Sequence, residues 1–274
     1  MSETGAYIHG HSAEVLKAHA RRTAARDAAY LIPHLRPDFR ILDVGCGPGT
    51  ISADLAALVP AGRVTCVELG AGALDAARQT FAQRGVVNAD FVVGDVTARQ
   101  GLPFADASFD VVHAHMVVIH LAQPAAALRE MRRVARPGGL VASKDMIMAT
   151  TTWFPADTRL ALWERGITAT IAATGADPQM GRGLRAAALE AGFAPDKIDA
   201  RASCWSFADD EAVAFWGRSC AARMAPGSEL RKNIVAGGYA TEQQADEFVA
   251  ASQGWVAEAG AWFGCMNGEL LAWK

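Results

Sequence analysis

The segment Asp43-Val44-Gly45-Cys46-Gly47-Pro48-Gly49-Thr50 places an acid, three alternating glycines and a proline in one short stretch. Glycines so spaced allow a tight turn and let a ligand approach the backbone closely, and a helix starting just after them presents unpaired N–H groups. Two further acids, Glu68 and Asp95, each follow a short apolar run. A carboxylate after a strand can accept both hydroxyls of a ribose, as in other nucleoside-binding α/β folds. Asp95 suits an exocyclic amine, and the backbone N–H of Val96 a ring nitrogen. His113, His115 and His120 cluster around the end of a later apolar run, with His9 and His11 near the N-terminus and Asp145 further on. Each histidine is either a proton acceptor in a reaction or a hydrogen-bonded packing residue.

The loop chemistry separates two ligand classes. A dinucleotide fingerprint reads GxGxxG, whereas Gly45, Gly47 and Gly49 give GxGxG. Pro48 removes one backbone donor, and Asp43 would repel a pyrophosphate. The same carboxylate can orient the cationic amino end of a methionine moiety. The loop therefore favours an adenosyl amino acid over a dinucleotide. Any tight β–α turn could use these glycines, so the weight rests on the three acids together. They follow three successive strands, on the edge where open parallel sheets bind ligands.

The elements that must position these residues show a regular rhythm. Short apolar runs begin at Ile41, Val64, Phe91, Phe109 and Leu140, and helical periodicity fills 50–58, 71–84 and 124–135. Alternation of this kind predicts a parallel sheet covered on both faces. A helix is expected over 12–36, ended by Pro33 and Pro37. After about residue 147 the rhythm breaks, and all seven tryptophans fall in this second half. A helix at 183–191 stopping at Gly192 and strands near 202–207 and 261–273 complete a mostly parallel, seven-stranded, doubly wound sheet. Segments 151–177 and 209–260, the latter with a Thr241–Gln244 capping-box pattern, read as inserted helices forming a lid. The organisation expected is a helical cover over 1–37, a ligand-binding core over 38–150, and the rest of the sheet plus the lid over 151–274.

Composition narrows the function classes. Of 274 residues, 51% are hydrophobic and 20% charged, enough for a large core and unlike a disordered chain. A net charge of −3 disfavours a nucleic-acid tract or an anionic membrane as partner. Five scattered cysteines without CxxC spacing point to a reducing compartment and no metal site. No basic region followed by an apolar core opens the chain and no run approaches the ~18 apolar residues of a membrane span, so a cytoplasmic location is expected. Homo-oligomerisation stays open.

Taken together, Ile41 to Thr50 (ILDVGCGPGT), Glu68, Asp95, Leu102-Pro103-Phe104 with Ser108-Phe109-Asp110-Val111-Val112, and Arg133 to Gly139 resemble the motifs of class I S-adenosylmethionine-dependent methyltransferases. The resemblance spans residues 41 to about 142. It implies a Rossmann-like fold and S-adenosylmethionine as cofactor, held by Asp43, Gly45, Cys46, Gly47, Glu68, Leu69, Asp95, Val96 and the backbone of His115. The subgroup it most resembles is the ubiquinone/menaquinone-biosynthesis-like small-molecule branch. Tyr7-Ile8-His9-Gly10-His11 and Arg22-Thr23 resemble a bacterial and fungal part of that branch whose N-terminal helix folds over the cofactor. This implies that Tyr7 and Arg22 lie near the methionine end or the substrate.

The expected reaction is methyl transfer to a small lipophilic or aromatic metabolite at oxygen, nitrogen or carbon. Candidates for assisting it are His115, His120 and Tyr7. Met116, Met146, Met148 and Trp153-Phe154 are expected to wall the acceptor. The rival readings are a methyltransferase-like protein that uses bound cofactor for cyclisation, a non-enzymatic sensor of S-adenosylmethionine, and, more weakly, a nicotinamide-dependent reductase.

Overall fold

The computed structural model describes residues 21–274. Thr23 caps a one-turn helix, α1 (Ala24–Asp27), its side chain accepting from the Arg26 N–H. The helix expected to run on to residue 36 stops there. Ala28 leaves the helical region at φ −127°, and a separate 3-10 turn, Ile32–His34, follows with Pro33 in its first positions. The chain then alternates: β1 (Arg40–Val44), α2 (Thr50–Leu58), β2 (Arg63–Glu68), α3 (Ala71–Gln83), β3 (Ala89–Val93), β4 (Phe109–His115), α4 (Pro124–Val134) and β5 (Ala135–Met146). These five strands run parallel in the order β3-β2-β1-β4-β5.

Burial explains the sequence pattern. β1 and β4 are covered on both faces, so they read as apolar runs without polar alternation. Ile41 and Val111 face a core layer with Leu31, Leu55, Leu74 and Phe81. Their neighbours Leu42 and Val112 face the opposite layer with Leu128, Met131 and Leu184. That two-sided cover is the doubly wound arrangement expected.

The second half adds β6 (Thr152–Phe154), α5 (Leu162–Ala173), α6 (Met180–Glu190), β7 (Ile198–Phe207), α7 (Asp210–Arg223), α8 (Glu229–Ala236), α9 (Glu242–Trp255) and β8 (Trp262–Trp273). β8 runs antiparallel to β5, β6 and β7. The sheet has eight strands where seven were expected. β5 is interrupted by a 3-10 turn at Met148–Thr150. β6 then resumes pairing with β8, at Phe263 and its neighbours, while β7 pairs with β8 along nearly its whole length. β7 also begins earlier than expected. Its first half is an exposed edge carrying Asp199 and Arg201, so it shows no apolar run. The inserted helices α5, α7, α8 and α9 pack on an aromatic core that includes Trp163, Trp216, Phe248 and Phe263. The Thr241–Gln244 capping box opens α9 as read from sequence.

Candidate active site

The glycine loop closes tightly onto β2. The Gly45 and Cys46 N–H groups both donate to the Val67 carbonyl, at 2.8 and 3.2 Å. Gly45 sits at φ +68°, and a Cβ there would meet Val117 Cγ2 at 2.5 Å. Gly47 sits at φ +54°, but a Cβ there would meet nothing within 4 Å. Space for a ligand thus lies directly against the loop backbone. The Gly47 N–H donates to Glu68 Oε1 at 2.8 Å, and the Leu69 N–H to Glu68 Oε2 at 3.1 Å. The Gly94 N–H donates to the Glu68 carbonyl at 2.9 Å. Hydrogen bonds therefore link the loop, Glu68 and the segment carrying Asp95 along one rim of the sheet. Asp95 is half-buried, its Oδ1 accepting from the N–H and hydroxyl of Thr97 at 2.7 and 2.6 Å; Val96 beside it is buried. Leu69 is 59% exposed and offers an apolar surface next to the Glu68 carboxylate.

Asp43, just before the glycine loop, is buried. Its Oδ2 accepts from the Ser52 hydroxyl at 2.5 Å, and its Oδ1 lies 2.7 Å from His113 Nδ1. The side chain is 3% exposed, and a buried carboxylate needs such donors. Through these two contacts Asp43 ties β1 to α2 and β4. Cys46 is half-buried. A hydrogen bond with Cys66, together with burial, pushes its thiol well above the ordinary range, so it stays protonated.

A cleft opens beside the loop at the ends of β4 and β5. Met116, His120, Met146 and Met148 supply one wall; Trp205 and Phe207 of β7 with Phe215 and Trp216 of α7 supply another. Met116 adopts φ +56°, unusual for a non-glycine residue, with its N–H on the Lys144 carbonyl at 2.8 Å. Val117, the next residue, is the one that crowds Gly45. The loop and the cleft therefore adjoin at Met116–Val117.

The comparisons with known proteins rest on these elements. A model of the methyltransferase domain matches residues 41–139, from β1 into β5. An uncharacterized methyltransferase of Schizosaccharomyces pombe is 36% identical over 211 residues, covering 75% of this chain and 74% of that protein. The chain belongs to the methyltransferase family. Its cofactor is S-adenosylmethionine. A protein of Aspergillus luteorubrus named probable methyltransferase ltbC is 28% identical over 99% of this chain and 98% of its own length. A ubiquinone/menaquinone biosynthesis C-methyltransferase of Burkholderia orbicola is 33% identical over 39% of this chain and 43% of its own. Among solved structures, the [4+2]-cyclase SpnF shares the fold with a TM-score of 0.53 and 18% identity, covering 91% of this chain and 84% of that one.

In this methyltransferase the histidines fall at the meeting of loop and cleft. His115 ends β4 and is buried, with its ring centroid 6.1 Å from that of Trp205. Neither of its ring nitrogens has a hydrogen-bond partner among the described residues. Burial, reinforced by the nearby Arg22 guanidinium, holds its pKa well below the usual imidazole value. His120 closes the 3-10 turn Val118–His120 and lines the cleft; burial and then Arg22 push it down to about 4. Both are therefore neutral at pH 7. Asp145 anchors the turn that carries His120, accepting from the Ile119 N–H at 2.9 Å and the Ser143 hydroxyl at 2.8 Å; burial raises it to about 6.

Arg22 lines the cleft with its guanidinium 5.8 Å from the Trp205 ring centre. Trp153 and Phe154, expected as cleft walls, are elsewhere. Trp153 packs against Trp255 and Phe263 in the core, and Phe154 is 59% exposed. Tyr7, His9 and His11 lie outside the described residues. The cleft residues that the sequence did not mark include Trp163, Trp205, Phe207, Trp216, Arg26 and Arg223; the concentration of tryptophan after residue 147 was the only signal. Among the described residues no cluster of His, Cys, Asp or Glu is placed to hold a metal, and no helix is long and apolar enough to cross a membrane.

Proposed function

We propose that this enzyme methylates a small apolar or aromatic metabolite bound in the cleft beside the glycine loop. The observation that carries the reading is the junction at Met116–Val117, where a wall of methionine and aromatic side chains meets the loop that crowds around Gly45. S-adenosylmethionine, when bound, supplies an electrophilic methyl carbon that a lone pair of the acceptor displaces, with S-adenosylhomocysteine as the leaving product. The residues fit that group: open space stands against Gly47, and the Glu68 carboxylate is held at its side.

In this reading Glu68 accepts the ribose hydroxyls, Asp95 and the Val96 N–H take the adenine edge, and Leu69 covers its face. Gly45, Cys46 and Gly47 let the backbone approach the methionine moiety. Asp43 acts as a positioning residue through Ser52 and His113, and Arg22 lies near the methionine carboxylate. His115 walls the junction. His120, neutral at pH 7, accepts the proton of an acceptor that must lose one, and alignment and exclusion of water do the rest. A metabolite, not a nucleic acid, suits a net charge of −3. A cytoplasmic enzyme suits five free cysteines.

The test is turnover of a metabolite panel with methyl-labelled cofactor. Label appearing in product, with S-adenosylhomocysteine in equal amount, is the result expected. Conversion of a panel member without transfer of label would replace the reading with cofactor-dependent cyclisation.

A further inference from the structure

The cleft carries an unusual charge for an apolar site. Four arginines line it, Arg21, Arg22, Arg26 and Arg223, against one acid, Asp27. Asp27 is already committed, accepting from Trp205 Nε1 at 3.1 Å and from the Thr23 N–H at 3.0 Å. Arg21 pairs with Glu211 at 2.7 Å. Arg26 and Arg223 have no carboxylate partner among the described residues, and each lies over an aromatic ring: Arg26 4.8 Å from the centre of Phe207, Arg223 5.7 Å from that of Trp163.

Those two rings belong to one continuous wall. Phe207 stacks on Trp216 at 4.7 Å, and Trp216 meets Trp163 edge-on at 5.7 Å. The wall therefore runs Phe207–Trp216–Trp163 with a guanidinium over each end ring. Two buried N–H donors on it lack partners among the described residues: Arg223 Nε and Trp216 Nε1. Buried donors are normally paired, and leaving one unmet carries a desolvation cost. A ligand that supplies an oxygen acceptor at the wall would remove that cost. The stacked guanidiniums present planar, forked donors well matched to a carboxylate or phosphate.

We propose that the acceptor is an amphipathic acid, a flat apolar body lying along the Phe207–Trp216–Trp163 wall with its anionic group held by Arg26 or Arg223. The proposal rests on the reading of the cleft as the acceptor site. It narrows the substrate class from lipophilic metabolites at large to those bearing a carboxylate, sulfonate or phosphate away from the methylated atom.

A matched pair of fluorescent probes tests it without knowledge of the natural acceptor. 1-Anilinonaphthalene-8-sulfonate carries an aromatic body and an anion; N-phenyl-1-naphthylamine has the same rings and no charge. Wild-type protein should bind the sulfonate about tenfold more tightly, as expected for hydrogen bonds to charged groups. One of Arg26→Gln and Arg223→Gln, the variant that removes the arginine holding the anion, should weaken the sulfonate about five- to tenfold, while the neutral probe and S-adenosylhomocysteine bind as before. Arg201→Gln, an exposed arginine outside the cleft, should change nothing. Equal affinity for both probes, sulfonate binding unchanged in both arginine variants, or loss of both probes alike overturns the proposal. The same variants and an acid-and-neutral metabolite panel separate the two readings. Label entering neutral acceptors only would remove the anion subsite and leave methylation standing. Arginine-dependent sulfonate binding with no label in any metabolite would do the reverse.

Discussion

Around Gly47 and Glu68 the rim of the sheet carries a glycine backbone and the carboxylates of Glu68 and Asp95, after β1, β2 and β3. Around Phe207 and Trp216 the cleft carries aromatic rings and guanidiniums from α1, α5, β7 and α7 and the residues beside them. The first region is specified by short stretches of chain whose loops can take only a few conformations, and the ligand we propose for it is the cofactor. The second is assembled by packing elements distant in sequence, and its shape follows from the inserted helices. The comparison teaches that one molecule can hold a fixed recognition chemistry at one side of a junction and a replaceable one at the other. Loops after parallel strands serve the first purpose well, and a helical lid serves the second.

Substitutions that act on one region and spare the other sharpen that division. The largest effect is expected for Gly47→Val. It forces a branched residue to positive φ and fills the space against the loop, so calorimetry should detect no S-adenosylhomocysteine binding. The backbone strain costs about 1–3 kcal/mol of stability, and the fluorescent probes should still bind the cleft. Glu68→Ala should weaken S-adenosylhomocysteine by about 1.5–3 kcal/mol, roughly 10- to 150-fold. Unchanged affinity would remove the ribose contact from the account.

His120→Gln addresses the other side through pH. His120 titrates near 4 in the fold and near 6.5 when unfolded. Between those values the unfolded chain binds more protons, so this histidine destabilises the fold as pH falls from about 6.5 to about 4. Gln does not titrate. Denaturation of the variant should therefore lose about 1–3 kcal/mol less stability than wild type across that window. Asp145, raised to about 6, contributes the opposite slope over part of the window but is present in both proteins. The affinity for S-adenosylhomocysteine should not change. The smallest effect is expected for Leu69→Ala, which removes an apolar cover from the slot; affinity for S-adenosylhomocysteine should fall by about 1 kcal/mol, a few-fold.

The same division explains what could be read from the sequence. β1, β2 and β4 are buried on both faces, so their apolar runs and the glycines between β1 and α2 announce themselves. The pairing of Glu68 with Gly47 follows from two neighbouring parallel strands ending at the same rim. Asp43 was harder. Its residue type suits a ligand contact, but no local pattern shows that the register of β1 on β4 also sets it opposite the buried His113. β7 was half-hidden because its exposed edge carries Asp199 and Arg201 in place of apolar residues. The cleft was hidden for a further reason. Trp163, Trp205 and Trp216 are all buried tryptophans like Trp153 and Trp255, and no local pattern tells a core ring from a pocket ring.

The account depends on the loop and the cleft meeting at Met116–Val117, and a crystal structure with S-adenosylhomocysteine tests that most directly. The predicted result has the ribose hydroxyls on Glu68 and the sulfur facing the cleft between Met116 and His120. A ribose bound away from Glu68, or a sulfur turned from that cleft, would contradict it.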